Sequence, residues 1–508
     1  MGLDLLHALR NSDAPVDFPG HYIGGSFVGC DRGVVIKDAV NPSRGSVLFT
    51  IRMDKSQLGQ ALDIAEANRK NFETKPTSER LELITRFRQA LVDYQSDVQL
   101  AMQIEWGKPK WEAEQEFAAS LEFLDHIIET GEGLFEQAVG LVGTPNLVGK
   151  VDLRPVGTVL AQIPFSRSCA AFVKFFSISA LAGCPLIAMP SAHAALLSHL
   201  MAHIVHEIDA PKGMLSVLCG NFEMFRLAAQ DRRVKAILYR GSREHCITIR
   251  KESYAHIERP LVLQSGGKNA VILHPSCNVT EAVDTVLYGV LKSAGQLCTS
   301  TSRAFIHRSQ LAEFVNLMVT KIRNIEIGPT DQDDSNPTMG PLYSRKAVDK
   351  FLRFQTMAQR ESNKTVLWGK TLDLGTGGFF VSPGLHILGS LDEASAYQSN
   401  VLLFPDLAVY EYDDVSEAVE GVNRTDASYV VSVIGREEEW LKDVRFTPPN
   451  VLVNLPTVEK GPSHAVAGRG YCGVARQVGY GLLQTLTYPV SRVTGVSFKE
   501  FNKAWPAR

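Results

Sequence analysis

The chain has 508 residues, 45% hydrophobic and 21% charged, the proportions of an ordinary globular protein, which excludes a wholly disordered or fibrous chain. Its 52 basic and 55 acidic residues leave a net charge of −3, so neither a basic footprint for nucleic acid nor an acidic tail is present. Length alone leads to about three domains.

The first residues, MGLDLLHALRNSD, lack a basic stretch followed by a long apolar run, so no secretory signal is expected. Leu6 stands where a myristoylation motif wants Ser or Thr. Apolar residues recur at helical spacing over 57–73 and 79–104, for example Leu81, Ile84, Phe87 and Leu91, and Pro76 with Thr77-Ser78 marks the start of the second run. Segment 138–156 is expected to project as a hairpin. From 157 to 265 apolar runs (GTVLAQIPF, PLIAMPS, MLSVLCG, VKAILYRG) alternate with helical patterns, the signature of a parallel sheet covered on both faces. Residues 169–189 approach the length of a membrane span. Lys174 interrupts them and Gly183-Cys184-Pro185 breaks them, so they read as a buried helix and strand, with no membrane partner. A second α/β series runs from 268 to 450, interrupted by the Pro-, Gly- and Asp-rich loop 327–344, and residues 482–496 have β character. Two such series predict two domains with a cleft between them.

Eight cysteines show no CxxC pair and no Cys/His cluster at zinc spacing, so no metal site is expected. Such sparse use fits core thiols in a reducing, cytoplasmic setting.

Two segments could carry chemistry. In SAGQLCTSTSR, 293–303, Cys298 follows a helical run through Gly295-Gln296 and precedes a strand. A cysteine on such a turn can be exposed and activated, although most cysteines are simply core. In LVLQSGGKNAVILHP, 261–275, a strand runs into Gly266-Gly267, where backbone can approach a ligand or only turn.

Together these segments resemble the aldehyde dehydrogenase superfamily. LQSGGKNAVIL matches its E-L-G-G-K-N region and SAGQLCTSTSR its G-Q-x-C nucleophile loop, and the 34 residues from Gln264 to Cys298 equal the family's base-to-nucleophile spacing. EWGKPKWEAEQE, RPVGTVLAQIPFS, LAGCPLIAMPSA, LYRGS, FPDLAVYEYDDVSEAV and NVLVNLP follow in the family's order, and the WEAEQE extension is similar to the succinylglutamate semialdehyde dehydrogenase branch. The resemblance implies an α/β fold of three parts. These are a Rossmann-like coenzyme domain (1–137 and 157–265), a catalytic α/β domain (266–481) and a β-rich oligomerisation arm (138–156 and 482–508), assembled as a homodimer or homotetramer. It implies NAD(P)-dependent oxidation of an aldehyde, possible semialdehydes included, through a thiohemiacetal on Cys298.

The resemblance also exposes departures. The family's oxyanion Asn falls on Ser166 and its general-base Glu on Gln264. Losing one oxyanion donor costs about 10²–10³ in rate and a general base about 10²–10⁴. The coenzyme motif K-P-S-E reads Met189-Pro190-Ser191-Ala192, F-T-G-S-T reads Tyr239-Arg240-Gly241-Ser242-Arg243, and E-x-F-G-P reads Val401-Leu402-Leu403-Phe404-Pro405. Pro190, Ser191, Gly241, Ser242, Arg243 and Gly266 remain as coenzyme contacts, so weak binding of NAD or NADP is expected. Phe404 is expected to crowd the nicotinamide site, and Arg167, Arg240 and Arg243 to add positive charge near the phosphates or to be plain surface arginines. Two alternatives stay open: an impaired homologue acting as scaffold or metabolite-binding subunit, and a cofactor-free cysteine enzyme transferring acyl groups or cleaving esters.

Overall fold

Runs of apolar residues build the first sheet, whose five central strands are all parallel: Val159–Ile163, Leu186–Pro190, Leu215–Val217, Ala236–Arg240 and Leu261–Gln264. The computed structural model describes residues 2–11, 14–133, 147–332, 334–389, 391–392, 394–436, 439–459, 468–475 and 480–495. In space the central strands run 215–217, 186–190, 159–163, 236–240, 261–264. Antiparallel edges are added by His21–Ile23 and Ser26–Val28 on one side and by Gly473–Val474 on the other. The order reverses between the 159–163 and 236–240 strands, and ligands of open α/β sheets bind outside the carboxyl ends of strands at such a point. Ile163 and Arg240 end those two strands.

The suspected span 169–189 is the interior helix Ser168–Ala182, ended by Gly183 in the left-handed region, followed by the 186–190 strand. All of that helix but Lys174 is buried, since apolar residues surround its whole circumference. Among the described residues no helix is long and apolar enough to cross a membrane.

The second sheet has the order Lys364–Leu367, Gly384–Leu388, Asp406–Tyr412, Thr301–His307, Asn269–Leu273, Val430–Ile434, Asn450–Val453. Only the pairing of its first two strands is antiparallel. Each sheet has its own apolar core, and a small cluster of Tyr429, Val430, Leu452 and Cys472, with Cys298 packed on it, lies apart from both.

Two expectations need correction, and a third, the 138–156 hairpin, lies partly outside the described residues. The helical run 79–104 is two helices, Thr77–Asp93 and Gln95–Trp106, because Tyr94 leaves helical geometry (φ −100°, ψ 19°). Segment 138–156 does not fold on itself over its described part. Leu147–Pro155 pairs residue by residue with Thr487–Gly495, and 138–146 lie outside the described residues. The β segment 482–496 opens instead as the helix Tyr480–Thr485.

Helix Lys110–Thr130 is fixed to the first sheet's side through the buried acid Glu116. Glu116 pairs with Lys108 inside the protein and accepts from the backbone N–H of Ala170 at 3.2 Å, at the start of the 168–182 helix. Removing one member of a buried pair strands the other, at about 3–5 kcal/mol. Glu116→Ala should therefore lower the urea midpoint strongly, and the double change Glu116→Leu, Lys108→Met should recover most of the loss; an unaltered midpoint in the single variant contradicts this.

Candidate active site

The turn that carries Cys298 is strained and held in place. After helix Val279–Leu291, three successive residues adopt left-handed backbone: Ser293 (φ 58°), Ala294 (φ 48°) and Gly295 (φ 68°). Such conformations cost about 1–3 kcal/mol for residues other than glycine and persist only when their surroundings enforce them. Glu112 enforces them: its buried carboxylate accepts from Ser293 N at 2.7 Å and from Ser293 Oγ at 2.7 Å. Burial pushes the Glu112 carboxyl up, and Lys108 acts in the opposite sense. Gln296 donates to Ser293 O at 3.1 Å and accepts from Tyr343 N at 2.9 Å. A Cβ on Gly295 would stand 2.6 Å from Pro405 N, so only glycine fits there.

Beyond the turn, Asn269 fixes the cysteine backbone. Its Nδ2 donates to Cys298 O at 3.0 Å and to Ser300 O at 2.9 Å, while its Oδ1 accepts from Val430 N at 3.0 Å. Gly267 is required by this approach, since a Cβ there would lie 2.5 Å from Tyr429 Cβ and 3.0 Å from Cys298 O. Cys298 is half-buried, and its Sγ accepts from Gln264 Nε2 at 3.1 Å. Four other thiols are enclosed more deeply. Cys169, Cys184, Cys246 and Cys472 are buried, and burial pushes each up to about 12.

The structure thus brings Cys298 and Gln264 into contact. Ser166 lies half-buried in the link from the 159–163 strand to the 168–182 helix, at the rim of the crevice; among the described residues its hydroxyl has no hydrogen bond. On the coenzyme side, Ser242 caps helix Arg243–Glu252 by accepting from His245 N at 3.3 Å, and Gly241 N donates to Gln264 O at 3.0 Å. Pro190 ends its strand, and among the described residues the buried Ser191 hydroxyl has no hydrogen-bond partner. Gly266 (φ 97°) faces Val401, whose Cγ1 would lie 3.0 Å from a Cβ there.

These residues fit the phosphates of a dinucleotide: an exposed helix N-terminus at the sheet's switch point, with Arg243 beside it, and a serine hydroxyl without a hydrogen-bond partner among the described residues just past the end of the 186–190 strand, two strands from 236–240. They supply no charged anchor for its riboses, because buried Met189, half-buried Ala192 and Val401 are apolar. Phe222 and His245 stack at 3.6 Å between the helices Phe222–Gln230 and Arg243–Glu252, and Tyr239 OH meets His245 Nδ1 at 2.8 Å.

Phe404 does not crowd this site. Leu403 before it is left-handed (φ 54°), and the Phe404 ring packs inside the second core against Phe351 and Phe354. The three arginines differ. Arg243 is exposed over Tyr471, Arg167 donates to Val458 O at 2.9 Å, and Arg240 is largely buried over Phe175. Asn269 and Glu112 stand inside the matched motifs, and nothing in the sequence assigns either a role. The only signal for Glu112 was its place in WEAEQE, where acids at helical spacing ordinarily read as a solvated face.

A family model described as "Aldehyde dehydrogenase family" matches residues 33–490. The chain is 23% identical over 414 residues to a glutarate-semialdehyde dehydrogenase of Pseudomonas putida, covering 80% of this chain and 84% of that protein. It is 22% identical over 409 residues to malonate-semialdehyde dehydrogenase 2 of Oceanobacillus iheyensis, covering 80% and 82%. Among solved structures, a betaine aldehyde dehydrogenase double mutant of Staphylococcus aureus in complex with NAD+ superimposes with a TM-score of 0.87 at 19% identity, covering 94% of this chain and 97% of that one. A 1-pyrroline-5-carboxylate dehydrogenase gives 0.88 at 21% identity, covering 97% and 96%.

Each charge-assisted hydrogen bond that Met189, Ala192 and Val401 cannot make is worth about 1.5–3 kcal/mol, or roughly one to two decades in affinity. Titration should give micromolar or weaker dissociation constants for both NAD+ and NADP+, with Met189→Lys tightening one of them; sub-micromolar binding by the unaltered protein refutes the argument.

Proposed function

Because the chain belongs to the aldehyde dehydrogenase family, we propose that it oxidises an aldehyde to the acid through a covalent adduct on Cys298. The observation that carries this is the Cys298 thiol, half-buried on an enforced turn with the Gln264 amide 3.1 Å from its sulfur. The S–H bond of Cys298 breaks and its proton passes to solvent water, since Gln264 cannot take it; the sulfur forms a bond to the aldehyde carbon, and the carbonyl electron pair moves to oxygen. The Gln264 Nε2–H is the nearest side-chain donor for that oxygen, with the Ser166 hydroxyl proposed as the second. When bound, NAD(P)+ supplies the hydride acceptor. The resulting thioester on Cys298 takes up water, and its carbon–sulfur bond breaks to give the acid and the thiol. Gln264 cannot accept the water's proton, so hydrolysis is the slow step. Relatives named as semialdehyde dehydrogenases support a substrate with a second, acidic end. A scaffold role and cofactor-free acyl transfer draw no support from relatives that are named as dehydrogenases.

Cys298→Ala should abolish coenzyme reduction in steady-state assays with a semialdehyde panel. Gln264→Glu should raise turnover, by about 10²-fold where hydrolysis limits. Residual reduction in Cys298→Ala at the unaltered rate would falsify the assignment.

The ribbon of 147–155 and 487–495, with Tyr488 and Val493 exposed on it, is proposed as the contact that joins copies of the chain. Light scattering at micromolar concentration should give a dimer or tetramer mass; a monomer mass rejects this.

A further inference from the structure

Arg240 ends its strand where the strand order of the first sheet reverses. It is the register partner of Gln264 on the parallel neighbouring strand, so the two side chains leave the same face of the sheet. Gln264 reaches the Cys298 sulfur at 3.1 Å, and the Arg240 guanidinium lies over the Phe175 ring, 5.1 Å from its centroid. The charged and titratable groups facing Arg240 are Cys298, Tyr429 and Arg167, with no carboxylate among them. Among the described residues Arg240 makes neither a hydrogen bond nor an ion pair. Arg167 differs, because it donates to Val458 O and has Glu459 within electrostatic reach. A largely buried guanidinium whose only partner is an aromatic ring keeps unsatisfied donors, and an entering anion satisfies them.

We infer that Arg240 anchors an anion subsite beside Cys298, which takes the carboxylate or phosphate group of the aldehyde being oxidised. The planar guanidinium fork matches both groups. The Arg240 and Gln264 backbones lie about 4.8 Å apart as strand neighbours, and Gln264 Nε2 stands 3.1 Å from the Cys298 sulfur, so Gln264 bridges the two and a short linker suits an aldehyde carbon at Cys298 with an anion at Arg240. The inference rests on the aldehyde oxidation proposed above and narrows it to short aldehydes with an acidic far end.

Iodoacetate and iodoacetamide test this on the full-length protein, since both alkylate thiols and they differ by one charge. Rates at Cys298 are read by peptide mass mapping, with half-buried Cys277 as the internal reference. The iodoacetate-to-iodoacetamide rate ratio at Cys298 should exceed that at Cys277 by about tenfold, the effect of one charge-assisted contact. Arg240→Gln should bring the ratio down to the Cys277 value while the iodoacetamide rate moves much less, and Arg240→Lys should keep part of the preference. Equal ratios in the unaltered protein, or a ratio untouched by Arg240→Gln, overturn the subsite. A guanidinium serving the coenzyme phosphates instead would show as weaker NAD+ binding in Arg240→Gln with an unchanged alkylation ratio, which also overturns it. If neither reagent modifies Cys298, the proposed oxidation fails on its own account. The subsite is then decided by calorimetric titration of Cys298→Ser with glutarate: binding lost on adding Arg240→Gln supports it, and no binding overturns it.

Discussion

The active site depends on one constraint, the left-handed turn Ser293-Ala294-Gly295 that ends the 279–291 helix and starts the nucleophile loop. Two of its residues pay a steric cost that glycine avoids. The turn survives because Glu112 takes both donors of Ser293 and because Asn269 clamps the far side at Cys298 O and Ser300 O. Glu112 comes from a helix that packs on the first sheet's side, and Asn269 opens a strand of the second sheet. The thiol is therefore positioned by both units at once. Its place at the crevice follows from the relation between the sheets, and the loop's own propensity contributes little.

The electrostatics around that thiol are unusual for the family it belongs to. Where the resemblance calls for a carboxylate base, Gln264 supplies a donor, and a guanidinium stands one strand away. Such a site is better arranged to hold developing negative charge than to remove a proton. Covalent capture and hydride loss are compatible with it, while hydrolysis lacks its base. Met189 and Val401 act in the same direction on the coenzyme side, since apolar side chains there offer no charged anchor for a ribose.

Much of this was legible in the sequence because it is local. Continuous apolar runs identified the parallel strands, and the family resemblance paired Gln264 with Cys298, which stand 3.1 Å apart. Non-local features were not legible. The partner of 147–155 lies more than 300 residues downstream, and no turn signal links the two. Phe404 read as an intruder because motif alignment ignores backbone: left-handed Leu403 swings the next side chain into the core. Glu112 carried no role in the sequence, and Arg240 read either as a charge near the phosphates or as a surface arginine, since the enclosure of both comes from elements distant in sequence.

The central claim is that oxidation passes through Cys298. Rapid-quench mass spectrometry of the protein mixed with glutarate semialdehyde and NAD(P)+ tests it most directly. The account predicts one acyl adduct, mapped to Cys298, that accumulates in step with coenzyme reduction and decays slowly because Gln264 is no base. Coenzyme reduction without an adduct on Cys298, or an adduct that maps to another residue, would contradict it.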